Sequence, residues 1–353
     1  MASTTINGIT LTYPDSPCPV FNPCVFLLTG TMARAKAQVV KDGVSYHATY
    51  QLPNGGRLDL RQYLQMMFDG IGLGKELDSM GNFKVSEFGK NVTVSVTAMS
   101  ADGTTLAEFS VTVFCVWGGV AVGEELVTDE AERITWYRNF PLTVGVYAPS
   151  SKSLSYDCYS AVGGQGVHVR TISLPSQGLY NVAINADNGI NTREIHISDT
   201  ASPYTKRYIV TIDRTHTEGV YLRWVDRHGF WRYRLFKAGD PTWTSSSRFG
   251  MYHHNDLTDY DAQAGWQGRS GRRQSFSRND IQPLCAPLVS QKEFDMLQDI
   301  TTSPCVDMFI GYDGQTPKWT AVTVEAGSYT KDVDKPEQDF LLNLVKPEIP
   351  VQS

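Results

Sequence analysis

The chain has 353 residues, of which 41% are hydrophobic and 19% charged, and its formal net charge is −6. A chain of this size supports two or three cores at roughly 100 to 200 residues each, and its negative balance argues against bulk nucleic-acid binding. No apolar run reaches the roughly 18 residues of a membrane-spanning helix, and Met1 to Gly8 lack the pattern of a secretory signal, so synthesis in a cytoplasm without membrane insertion is expected.

Turn dipeptides recur along the chain: Asn7-Gly8, Asp42-Gly43, Asn54-Gly55, Asp69-Gly70, Asp102-Gly103, Asn188-Gly189 and Asp313-Gly314. Such pairs tolerate positive φ and join antiparallel strands, so the fold class expected is all-β, mainly antiparallel, as tandem β-sandwiches with a few short helices. In the first region, Val92, Val94 and Val96 alternate with Thr93, Ser95 and Thr97, and a partner strand follows over Leu106–Phe114. Asp59 to Phe68 breaks that rhythm, because Leu60, Leu64, Met67 and Phe68 recur at helical spacing behind the N-capping type Asp59.

A polar, acidic stretch from Glu124 to Glu132 follows Trp117-Gly118-Gly119. A second β set then runs from Leu142 to Ile212. Boundaries near 118 and 215 divide the chain into a sandwich with one helix over 1–118, a second sandwich over 119–214, and a β domain over 215–353.

In the third region, Val220 to Phe236 alternates on either side of Asp226-Arg227-His228-Gly229, which reads as a hairpin with a four-residue turn. That reading places Val220, Leu222 and Trp224 on one face with Trp231, Tyr233 and Leu235, and turns Arg223, Arg232 and Arg234 toward the other. The segment 240–280 reads as a long loop rich in arginine and aromatics, of a length that is usually functional. Ser290-Gln291-Lys292-Glu293 is a capping box for a helix over 291–300, and strands follow at Val306–Ile310, Trp319–Val324 and Phe340–Val345.

Catalytic patterns fail. Gly70 to Lys75 lacks the spacing of a phosphate-binding loop, and Glu76 stands where its hydroxyl belongs. His253-His254 with Asp256, Asp259 and Asp261 reads as a polar loop, because adjacent residues of a strand point to opposite faces. The six cysteines form no C-x-x-C pair, so neither a zinc site nor a disulfide scaffold is expected. No catalytic, cofactor-binding or metal-ligating residue is assigned.

Charge is segregated. Between Lys206 and Arg278 there are thirteen Lys or Arg against seven Asp or Glu, a balance of +6 that leaves −12 for the rest. Such polarity suits association of copies or docking on an acidic partner. The candidate interface comprises Arg223, Arg232, Arg234, Trp243, Trp266, Arg269, Arg272, Arg273 and Arg278, since aromatics beside guanidinium groups recur at protein interfaces and on sugar-binding surfaces.

Several segments resemble β-rich virion proteins of tailed bacteriophages and prophages of Bacteroides-type gut bacteria. They are Leu58-Asp-Leu-Arg-Gln-Tyr-Leu64 leading to Phe68, Trp136-Tyr-Arg-Asn-Phe-Pro141, Tyr221 to Phe236, and Trp319-Thr-Ala-Val-Thr-Val324 with Gly327-Ser-Tyr329. The resemblance implies a structural component of a tail, baseplate or neck, located in the virion, with copies of itself and other virion proteins as partners. It transfers no catalytic residue. The alternative is a receptor-binding β-sandwich protein that grips host-surface glycan through exposed tryptophans; nucleic acid is not an expected partner.

Overall fold

A computed structural model of the chain describes residues 1–68, 82–121, 124, 131–160, 166–184, 192–199, 207–246, 277–314 and 316–347, with the backbone alone of 247, 251–253, 260–261, 265–266, 271–273 and 276. The fold is all-β, built from mainly antiparallel sheets with few helical residues.

Two sheets enclose the first core. One orders Ala2–Ile6, Ile9–Tyr13, Val25–Thr29 and Gly55–Asp59; the other orders Cys18–Pro19, Thr105–Val116, Gly89–Met99, Arg34–Lys41 and Val44–Gln51. Val92, Val94 and Val96 point into this core while Thr93, Ser95 and Thr97 point away, as period-two alternation requires. The helix Arg61–Met66 buries Leu64 beneath it. Its N-cap is Leu60, but Asp59 accepts the Arg61 N–H at 3.0 Å, so the expected carboxylate acts from one position earlier.

A second core lies between the sheet Ala131–Tyr137, Arg207–Asp213, Thr192–Ser198, Lys152–Ser160, Gly166–Leu174 and the sheet Thr143–Ala148, Gly178–Ala183, Phe83–Val85. The strand Phe83–Val85 comes from the N-terminal part of the chain, and Phe88 is buried in the same cluster. Strand Ala131–Tyr137, which starts at the end of the acidic stretch from Glu124 to Glu132 and was not expected from the sequence, runs parallel to Arg207–Asp213.

The third region forms one large sheet that includes Val306–Asp313, Val220–Val225, Trp231–Ala238, Phe276–Ser290 and Glu337–Val345. The helix Gln291–Gln298 closes its core, and the capping box is present in both directions between Ser290 and Glu293.

The described parts of segment 240–280 pair as a β-ribbon where a long loop was expected. Thr242–Ser247 pairs with the first part of Phe276–Ser290, and the pairing resumes at Met251–His253 with Gly271–Arg273 and at Tyr260–Asp261 with Gly265–Trp266. The strand sequence Thr-Trp-Thr-Ser-Ser-Ser carries one apolar side chain, and Thr242 to Ser246 are all exposed, so it lacks the apolar period by which strands are normally recognised.

Candidate functional site

The hairpin Val220–Ala238 is the wall between the second and third cores. Val225 pairs with Trp231 and Val220 with Phe236, so residues of the same parity share a face. Tyr221, Val225, Trp231, Tyr233 and Leu235 belong to the second core, and Leu222, Trp224 and Phe236 to the third.

This register corrects the four-residue turn. Asp226 and Phe230 still pair, through the Asp226 N–H to the Phe230 carbonyl at 2.9 Å, and only Arg227, His228 and Gly229 lie beyond them. Gly229 takes φ 77°, a conformation glycine adopts without steric cost, and its N–H donates to the Asp226 carbonyl at 3.0 Å. Asp226 Oδ1 accepts from the His228 and Phe230 N–H groups, both at 2.9 Å. One residue of register moves every side chain of the second strand to the other face.

The arginines therefore do not form one outward surface. Arg223 lies on the second-core side, fully buried, with its guanidinium 4.2 Å from the Trp231 ring centroid and 4.3 Å from that of Trp319. Its Nε donates to Asp307 Oδ2 at 2.8 Å. Arg232 and Arg234 lie on the opposite side. Arg232 is buried between Asp226, whose Oδ2 it reaches at 2.6 Å, and Glu132. Arg234 reaches Glu293 Oε1 at 3.1 Å.

Arg232, Asp226, Glu132 and Glu293 line a cleft of about 820 Å³ between strand Ala131–Tyr137, the hairpin turn and helix Gln291–Gln298; Arg223 and Asp307 lie away from it. Its walls carry both signs of charge. Arg227 and His228 each lie 3.2 Å from Glu124 Oε1, and Arg227 Nε lies 3.7 Å from Asp299. Burial, and next the charge of Asp226, push the Asp299 carboxyl up to about 6, against the opposing pull of Arg227, His228 and Arg232. For Arg232 burial works against the charge, yet Glu132 and Asp226 outweigh it and hold the guanidinium firmly ionised. Burial likewise acts against ionised Glu293, but the Ser290 N–H and Arg234 bring its carboxyl below the usual range.

The lining is an interlocked set of ion pairs. Asp226 is committed to the turn and to Arg232, which leaves it a structural anchor rather than a free base. Among the described residues no group of three or more His, Cys, Asp or Glu is placed to hold a metal ion.

The arm presents a different surface. Every residue from Lys237 to Ser246 is exposed, and Trp243 is 64% exposed. Arg278, on the paired strand, holds its guanidinium 5.6 Å from the Trp243 ring centroid and donates to Asp280 at 2.5 and 3.0 Å. Trp266, Arg272 and Arg273 fall on ribbon strands of which only the backbone is described. Arg269 lies outside the described residues, as do Gly70 to Glu76, His254, Asp256 and Asp259; of His253 and Asp261 only the backbone is described.

The acids that hold the arginines escaped the sequence reading: Asp307, Glu132 and Glu293 lie 84, 100 and 59 positions from their partners. One signal was available. Both parities of the first hairpin strand carry large apolar side chains, Tyr221 and Val225 as well as Leu222 and Trp224, which marks a strand buried on both faces. No protein-family model and no curated protein matches the chain. No helix among the described residues is long and apolar enough to cross a membrane.

Proposed function

We propose that this chain is a non-enzymatic structural subunit of a tailed-phage virion, joining copies of itself and neighbouring subunits in a ring or collar of the tail, neck or baseplate. The observation that carries the reading is the ribbon beginning at Thr242–Ser247 and Phe276–Ile281, whose first strand is exposed from Thr242 to Ser246 and whose second is largely half-buried, while Arg223 and Arg232 of the hairpin are paired internally. An isolated two-stranded ribbon is marginally stable in water, so one of this extent gains order by lying against another surface. Its arginines and tryptophans are residue types enriched at interfaces. The phage assignment itself rests on the sequence resemblance.

Sedimentation velocity across a concentration series tests the assembly. The full chain is expected to self-associate, and a variant in which residues 244–275 are replaced by Asn-Gly is expected to stay monomeric with its body melting unchanged. A full chain that remains monomeric at high concentration, alone and with neighbouring virion subunits, overturns the reading.

One observation favours a receptor-binding role instead: Trp243 offers an open ring flanked by the Arg278–Asp280 pair, a surface on which a sugar face stacks while its hydroxyls are held. Binding on a glycan array that disappears with Trp243→Ala supports that role, and a flat array removes it.

A further inference from the structure

Two of the six cysteines face each other at the edge of the first core. Cys18 begins the short strand Cys18–Pro19, which runs parallel to Cys115–Val116, and Cys24 lies six residues later, where the chain enters Val25–Thr29. Both side chains are buried, with their Sγ atoms 3.5 Å apart. A disulfide bond is about 2.0 Å long, so the sulfurs need to close by roughly 1.5 Å.

The loop between them is a staple. The Val20 N–H donates to the Val116 carbonyl and the Phe21 N–H to the Gly118 carbonyl, each at 3.0 Å. The Asn22 side chain donates to the Val120 carbonyl at 3.0 Å and accepts the Val120 N–H at 2.8 Å. Segment 116–120, held in this way, touches the hairpin wall, because the Gly119 N–H donates to the Arg227 carbonyl at 2.8 Å. The Cys18–Cys24 loop thus supports the place where the chain leaves the first core and meets the wall between the other two.

We propose that Cys18 and Cys24 form a reversible disulfide by exchange with a small-molecule disulfide of the glutathione class, and that closure stiffens the staple on segment 116–120. The Cys18 thiolate attacks one sulfur of the oxidised glutathione and expels one glutathione thiolate. The Cys24 thiolate then attacks the Cys18 sulfur of the mixed disulfide and expels the second. One S–S bond forms for the one broken; the two protein thiols lose their protons and two electrons, and two molecules of reduced glutathione result. The order follows from access, since Cys18 keeps 4% exposure and Cys24 none. In the reduced chain the hydrogen bond with Cys18, and then burial, hold the Cys24 thiol well above the usual range, and burial persists in the mixed disulfide, so closure is slow.

The test uses the full chain, reduced and then equilibrated at neutral pH in graded mixtures of reduced and oxidised glutathione. Trypsin leaves Cys18 and Cys24 in one peptide, residues 1–34, which contains no other cysteine. That peptide is expected to become about 2 Da lighter as the mixture turns oxidising, by loss of two thiol hydrogens. In the same samples, amide exchange over residues 116–120 is expected to slow, and in a Cys18→Ser variant it is expected not to respond to oxidation. Full alkylation of both thiols at every ratio overturns the proposal. So does closure that leaves exchange over 116–120 unchanged, or a slowing that persists in Cys18→Ser. Should that variant fail to fold, the mass and exchange of the unsubstituted chain decide the matter.

Discussion

Arg223 and Asp307 face each other across neighbouring antiparallel strands and are joined at 2.7 Å with side chains 0% and 8% exposed. Two flanking tryptophan rings complete the enclosure. A pair this deep is expensive to assemble and more expensive to break, because removal of one partner strands the other charge in a low-dielectric interior. Asp307→Leu is therefore expected to cost about 3–5 kcal/mol in urea denaturation, while the double variant Arg223→Met/Asp307→Leu recovers most of the loss. A double variant as unstable as the single one would show that packing, not the orphaned charge, sets the cost.

Asp299 makes stability depend on pH in the direction opposite to most carboxylates. Its folded value of about 6 lies above the ordinary 3.8, so the native state holds the proton more tightly than the unfolded chain. The native state therefore gains stability as pH falls from above 6 toward 4, and bears the ionisation penalty at higher pH. A shift of about two pH units corresponds to on the order of 2–3 kcal/mol. Asp299→Asn is expected to be the more stable protein at pH 8 and to lose this contribution between pH 4 and 6, as read by urea midpoints across that range. Equal midpoints at pH 8 would count against it.

Gly118 shows how closely the linker meets the hairpin turn. A Cβ there would lie 2.4 Å from the Arg227 carbonyl oxygen, a backbone atom that cannot move aside cheaply. Gly118→Ala is expected to cost about 1–3 kcal/mol, the usual range for overpacking. Gly327→Ala, where a Cβ would meet nothing within 4 Å, serves as the neutral control in thermal melts.

Ser290 caps the third-core helix, with its Oγ accepting the Glu293 N–H at 3.3 Å. Ser290→Ala is expected to lower stability by about 1 kcal/mol in urea denaturation. The same Glu293 holds Arg234, so Glu293→Ala is expected to cost more than Ser290→Ala. An equal loss would separate the cap from the ion pair.

Much of the fold was legible locally. Val92, Val94 and Val96 alternate with threonine and serine, and that period of two is enough to declare a strand with one buried face. Ser290 and Glu293 announce a helix start within four residues. The ribbon from Thr242 was not legible, because a strand exposed from Thr242 to Ser246, Trp243 included, has no buried face to imprint a period on the sequence.

The hairpin marks the division most sharply. Composition and alternation by themselves determined an all-β chain and a strand pair around Asp226 to Gly229. Which side chains share a face was settled by turn geometry: Gly229 at positive φ puts Val225 opposite Trp231 and sends Arg223 to the opposite side from Arg232 and Arg234. The fate of those charges was settled at longer range still. A guanidinium enters a protein interior only where carboxylates meet it, and Asp307, Glu132 and Glu293 arrive from strands and a helix far along the chain. Period is a local property of the chain, whereas register and charge pairing exist only once distant segments have been brought together.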